Sequence, residues 1–183
     1  IDKIIKYKKS KINKFYPLDK QITGQSHLEK INIIIEFLKK NKLDHIFVSA
    51  PENVAWLLNI RGKDSPTSPI PNSHLLISRS RKRILIAPKE KLKILIKKKI
   101  ININEILEPK EFYKINERLS GSRILLDIKS CSLKFEELFS KKFKVFKKND
   151  PIYYLKSIKN KVEIDNTIKA HIQDGVALTK FLF

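Results

Sequence analysis

Two apolar rhythms alternate along this sequence, and that alternation restricts the fold more than any single motif. One is a helical rhythm. Ser26 and Glu29 have the S-x-x-E spacing in which each side chain satisfies the other's backbone N–H, and Leu28, Ile31, Ile35 and Leu38 follow as a stripe that Asn41 can close. The other is the rhythm of buried strands. His45–Ala50 is short, β-branched and aromatic and stops at Pro51, and Arg123–Ile128 reads as an interior strand. Between them, His74–Ser78 and Arg83–Ala87 flank the polar turn Ser80-Arg81-Lys82 as a hairpin. A short helix from Pro51 to Leu58, a helix over Lys89–Lys98, a strand near Lys99–Ile103, a helix from Pro109 to Leu119 that Gly121 ends, a Ser132-capped helix through Phe139 and a strand at Phe143–Phe146 complete the order. Helices and strands so interleaved predict an α/β fold with a mixed sheet flanked by helices. Residues 1–19, with a break at Tyr16-Pro17, read as a linker. Beyond Pro151, Asn160 and Glu163 repeat the capping pattern, and Ile164, Ile168, Ile172 and Val176 start a long helix with an apolar stripe.

Charge raises a competing function. Lys and Arg number 39 against 19 acids, a net charge of +20, which makes a basic nucleic-acid-binding module the alternative from another class. Arg, the residue that grips phosphate and guanine bidentately, occurs only at Arg61, Arg79, Arg81, Arg83, Arg118 and Arg123. In the densest stretch, Arg79–Lys99, Leu92, Leu95 and Ile96 keep helical spacing, so its lysines read as a solvated face. No specific nucleic-acid partner is expected. With four glycines in the chain a GxGxxG phosphate loop is absent. No apolar run reaches the roughly 18 residues of a membrane span, and a single cysteine, Cys131, suits a reducing compartment, so the expectation is a cytoplasmic protein without a membrane partner. There is no Met, even at position 1, and the final helix stops mid-pattern, so the chain reads as an internal piece of a longer protein.

The segment Asn53-Val54-Ala55-Trp56-Leu57-Leu58-Asn59-Ile60-Arg61-Gly62, followed by Asp64, Pro66 and Pro69, resembles a signature of three-domain Xaa-Pro aminopeptidases. Gly24, Ser26 and Lys30 are similar to that family's GxS…K opening of its middle domain, and Ile1-Asp2 to the end of its first domain. Asp150-Pro151-Ile152 through Ile164, then Ala170-His171-Ile172-Gln173-Asp174-Gly175-Val176-Ala177-Leu178, resembles its join from middle to catalytic domain. The loop carries Thr67-Ser68 where such proteins often have His-Asn, and Ile5 stands where an aromatic is usual.

The resemblance implies a creatinase/prolidase N-terminal-like middle domain (with a ribonuclease H-like motif) over 20–150, and a linker plus the first helix of a pita-bread catalytic domain over 151–183. It implies a parent metallo-aminopeptidase that removes the N-terminal residue from peptides with proline second. Two divalent ions, manganese by expectation, would sit in the catalytic domain and supply a hydroxide nucleophile and a polarised carbonyl. No cofactor, metal ligand or catalytic residue is expected in this segment. Its partners would be proline-containing peptides through the parent enzyme, its own catalytic domain and a second copy in a homodimer. A non-catalytic scaffold relative is the further alternative.

Candidate contacts with substrate or the catalytic domain are Arg61, Asn59, Gly62, Asp64 and Trp56. Arg61 can fork onto a carboxylate, or pair with Asp64 or with loop carbonyls. Trp56 reads as a core anchor, Asn59 as a cap or loop brace, and Gly62 as the provider of a φ other residues avoid. His171 and Asp174 stand i, i+3 on the last helix, a spacing that suits two metal ligands as well as packing or hydrogen bonding. His27, His45 and His74 lie on separate elements and read as structural, and Cys131 as an inert thiol.

Overall fold

A computed structural model describes residues 13–183. Strand β1 (Tyr16–Pro17) leads to a one-turn helix α1 (Lys20–Thr23), then α2 (His27–Lys40), β2 (His45–Val48) and α3 (Pro51–Leu58). Strands β3 (Ile60–Arg61), β4 (His74–Ser78) and β5 (Arg83–Ile86) follow, then α4 (Lys93–Lys97) and β6 (Ile106–Leu107). The chain continues through β7 (Arg123–Asp127), α5 (Leu133–Ser140), β8 (Lys144–Lys148), α6 (Pro151–Ser157) and α7 (Lys161–Leu182).

Six strands form one sheet in the order β6-β5-β4-β2-β7-β8. β4 alone runs against its neighbours, and the β2–β7, β7–β8 and β5–β6 pairs are parallel, so the sheet is mixed as expected. Apart from the edge strand β8, the strands are apolar on both faces because helices cover both. Ile46, Val48, Leu75, Ile77, Leu85 and Leu125 point to one face, where they meet Ile31, Ile34, Ile35 and Leu38 of α2 and Val54, Leu57 and Leu58 of α3. Phe47, Leu76, Ile84, Ile86, Ile124 and Leu126 point to the other, against Phe112, Ile115 and Phe139. Both sets follow from the two-residue period of the pleat, with Ile46 opposite Ile77 on one side and Leu125 on the other.

Several expectations need correction. Residues 1–12 of the expected linker, including Ile1-Asp2 and Ile5, lie outside the described residues. At Phe15 the chain already enters the core. Phe15 is fully buried, and Tyr16–Pro17 pairs antiparallel with Ile60–Arg61 where a break was expected. Leu28 is exposed, and the buried face of α2 runs through Lys30, Ile31, Ile34, Ile35 and Leu38. The helix over Lys89–Lys98 is divided into a 3-10 turn at Lys89–Lys91 and α4, and Pro109–Arg118 winds as 3-10 turns. There is no strand at Lys99–Ile103. Lys99 adopts φ 55° and ends α4, Asn102 and Glu105 form a capping box around a 3-10 turn, and pairing with β5 waits for Ile106–Leu107.

Polar residues fasten the strand ends. Burial alone would raise the Asp44 carboxyl's pKa, but the N–H groups of Ser122 and Arg123 and the nearby Arg79 hold it below the ordinary carboxylate value. Burial lowers the pKa of His45, which bridges Ser78 Oγ (2.8 Å) and the Ser120 carbonyl.

Candidate functional site

A cleft of about 670 Å³ opens where the sheet domain meets α7. Its domain wall is built from the C-terminal end of α3, the end of β3 and one residue of α2 (Trp56, Asn59, Arg61 and Lys30), with Leu18 and the α1 residues Ile22 and Thr23 beside them. The opposite wall is one stripe of α7, Glu163, Asn166, Thr167, Ala170, His171 and Asp174, spaced three and four residues apart.

The sequence sets this geometry locally. Pro51 stands at the first position of α3, where its missing N–H costs nothing, and Asn59 ends the helix in the left-handed region (φ 53°, ψ 44°). That turn redirects the chain into β3 and places Arg61 two residues on. The Asn59 side chain is consumed by bracing. Its Oδ1 accepts from Lys30 Nζ (2.8 Å), and its Nδ2 donates to the Gln25 carbonyl (2.7 Å) and Thr23 Oγ1 (3.2 Å).

Lys30, quoted above only as part of a motif match, has a structural role here. Only 2% exposed, it donates also to the Trp56 carbonyl (3.0 Å) at the end of α3, and its Nζ stands 4.0 Å from the centre of the Trp56 ring. Burial pushes its pKa down to about 8, with Glu163 acting in the opposite direction and Arg61 and Lys159 reinforcing the drop. A buried ammonium is tolerable here because a helix C-terminus, an amide oxygen and an aromatic face all offer negative potential. A signal was available: Lys30 lies four and eight residues before Ile34 and Leu38, inside the apolar arc of α2.

Arg61 has loop-carbonyl contacts and no pair with Asp64. Its Nη1 donates to the carbonyls of Ile60 (2.9 Å) and Ala55 (3.3 Å), and no other guanidinium nitrogen has a partner among the described residues. Burial lowers its pKa from the ordinary value, yet a guanidinium stays charged. Arg61 therefore brings a half-buried cation with unused donors to the cleft. Trp56 is both things at once: it packs against the core cluster and lines the cleft, and its indole N–H is buried without an acceptor among the described residues.

Asp64 and Gly62 stand behind the cleft. Asp64 pairs with Lys91 (2.6 Å) and accepts from the Asn72 N–H (2.8 Å), which, with Gly62 N–H to the Pro69 carbonyl (3.1 Å), closes the proline-rich loop on itself. The expected special φ at Gly62 is corrected: its φ is not positive. Glycine is needed because a Cβ would come within 2.8 Å of Pro71 Cα and 3.1 Å of Phe15 Cδ1.

His171 and Asp174 are exposed on the cleft face of α7 without hydrogen bonds among the described residues. Among the described residues no group of three or more His, Cys, Asp or Glu side chains is arranged to hold a metal ion. The other histidines are structural. His74 Nδ1 bonds the Ser49 carbonyl, and burial lowers the pKa of His27 and His74 alike. Burial pushes the Cys131 thiol up to about 11, away from reactivity.

No helix of the described residues is long and apolar enough to cross a membrane. Xaa-Pro aminopeptidase 1 of Dictyostelium discoideum is 31% identical over 173 residues, covering 93% of this chain and 27% of the relative. An X-prolyl aminopeptidase from Caenorhabditis elegans, a cytosolic enzyme with a di-nuclear active site, superposes with a TM-score of 0.78 at 22% identity, over 93% of this chain and 29% of that one. The prolidase of Pyrococcus horikoshii OT3 matches with a TM-score of 0.55 at 27% identity, over 75% of this chain and 37% of its own. The chain thus spans somewhat over a quarter of the length of the aminopeptidases it matches. The model of the creatinase/prolidase N-terminal domain matches residues 7–163, which span both faces of the sheet, the α3–β3 turn and the start of α7, and the chain belongs to that family.

Proposed function

We propose that this chain is the non-catalytic middle part of a cytoplasmic, metal-dependent Xaa-Pro aminopeptidase, with residues 20–150 as the middle domain and 151–183 as the linker and first helix of the catalytic domain. The parent would release the N-terminal residue from peptides with proline in second position and would work as a homodimer. The observation that carries this reading is the collinear match over nearly the whole chain to aminopeptidases more than three times its length.

In this reading the chain contributes a wall. Lys30 and Asn59 hold the α3–β3 turn rigid, so that Arg61 offers its free N–H groups at a fixed place to a carboxylate of substrate or of the catalytic domain. Trp56 supplies an apolar surface beside it. The two metal ions that the family implies do not fit the described residues, among which His171 and Asp174 have no third ligand. No step of the proposed chemistry passes through this chain's own side chains.

Purified and supplied with manganese, the chain is expected to leave Xaa-Pro peptides intact. Release of free N-terminal amino acid above the metal-only background would overturn the reading. Exchanged for the corresponding segment of the Dictyostelium enzyme, it is expected to support turnover, and a folded, metal-loaded hybrid without turnover would count against it.

A further inference from the structure

Helix α7 touches the sheet domain through its first turns, and the contact has an unusual form. α1 is four residues long, so its last carbonyls have no partner inside the helix. Two amides from the α7 end fill them. Asn160 Nδ2 donates to the Thr23 carbonyl (2.9 Å), and Asn166 Nδ2 donates to the carbonyls of Ile22 (3.2 Å) and Gln21 (3.4 Å). Among the described residues these are the hydrogen bonds that join α7 and its cap to the domain. The approach is close: Gly24 has φ 69°, and a Cβ there would overlap the Asn160 carboxamide.

The bonding does not stop at α1. Thr23 Oγ1 and the Gln25 carbonyl receive Asn59 Nδ2, and Asn59 Oδ1 receives Lys30 Nζ. A continuous polar chain therefore runs from the α7 cap, through α1, to the turn that launches Arg61. Beyond this clamp α7 departs from the domain, and the space between them is the 670 Å³ cleft.

We propose that Asn160 and Asn166 are positioning residues: clamped on the carbonyls of α1, they set the distance between α7 and Arg61 and so the width of the cleft. The role in peptide cleavage rests on the function proposed above; the effect on α7 does not. Asn160 has a second duty, since its Oδ1 caps α7 by accepting the Glu163 N–H (3.0 Å). Asp caps a helix as well as Asn but cannot donate. Asn160→Asp with Asn166→Asp thus keeps the helix start while turning each clamp bond into two facing oxygens.

The test uses nitroxide labels at Lys40→Cys and Lys169→Cys in a Cys131→Ser background, all three with and without the paired Asp substitutions. Lys40 and Lys169 are both exposed. The unsubstituted clamp is expected to give one narrow label-to-label distance distribution. The Asp pair should broaden it at least twofold, with unchanged helical circular dichroism. An unchanged distribution would overturn the proposal. In the Dictyostelium hybrid the same pair should lower kcat/KM for an Xaa-Pro peptide at least tenfold, mainly through KM, and an unaltered kcat/KM would remove the role in the reaction even if the distances broaden. A hybrid inactive with the clamp intact would speak against the proposed function alone, because the distances are measured without it.

Discussion

Replacing Asn59 separates the backbone from the side chain of the α3–β3 turn. Gly accepts φ 53° freely, so Asn59→Gly removes only the side-chain bonds, whereas Asn59→Ala also forces a Cβ into the left-handed region. The lost bonds are three. The one to the buried Lys30 ammonium is worth about 2 kcal/mol as a bond to a charged group, and those to Gln25 O and Thr23 Oγ1 about 1 kcal/mol each. Asn59→Gly should therefore cost about 4 kcal/mol, and Asn59→Ala about 1 kcal/mol more. Asn59→Asp keeps the φ tolerance and the acceptor for Lys30 and should cost about 2 kcal/mol. Urea unfolding followed by circular dichroism reads these differences as midpoint shifts, about 2 M for the glycine variant at an m-value of about 2 kcal/mol/M. If Asn59→Gly lies within 1 kcal/mol of the native chain, or Asn59→Ala is the more stable of the two, the bracing argument is wrong.

Lys30 gives a pH signature. Its folded pKa of about 8 lies below the ordinary 10.5, so between those values the unfolded chain holds the extra proton and stability rises with pH. Measured against Lys30→Met, the native chain should gain about 3 kcal/mol between pH 7 and 10.5, and parallel pH profiles would refute the burial of the charge. Trp56→Phe should change stability by less than about 1 kcal/mol, because the indole N–H it removes already lacks an acceptor; a loss above 2 kcal/mol in thermal unfolding would reveal a partner for it. Gly62→Ala should cost about 2 kcal/mol through overpacking against Pro71 and Phe15, although its φ suits alanine, and a neutral result in the same assay would contradict the close approach.

The centre of the sheet was legible because its strands are buried on both faces and bounded by turn residues: His45–Val48 and Arg123–Asp127 could hardly be anything else. Capping boxes at Ser26 and Asn160 located two helix starts, since that signal is local chemistry. Ile106–Leu107 and Tyr16–Pro17 were not legible. Two-residue strands exist only through their partners, Leu85–Ile86 and Ile60–Arg61, and leave no periodicity of their own.

The site divided along the same line. Arg61, Asn59 and Trp56 converge as the motif suggested, because one turn carries all three. Lys30 stood out only as a motif match without a role, because in so lysine-rich a chain nothing marks one lysine as buried until Trp56 and Asn59 are seen around it. A pair with Asp64 was one alternative for Arg61, whereas the partner of Asp64, Lys91, is 27 residues away.

In the proposed parent enzyme this domain lends a fixed cation, Arg61, to chemistry carried out by another domain. The most direct measurement of this is kcat/KM for an Xaa-Pro peptide in the Dictyostelium hybrid carrying Arg61→Ala, alongside the urea midpoint of the same substitution in this chain. A fall of about one hundredfold in a hybrid that stays folded, with a midpoint shift of no more than about 1 M for the lost bonds to the Ile60 and Ala55 carbonyls, is the predicted result. Full activity, or a fall matched by unfolding of the domain, would contradict it.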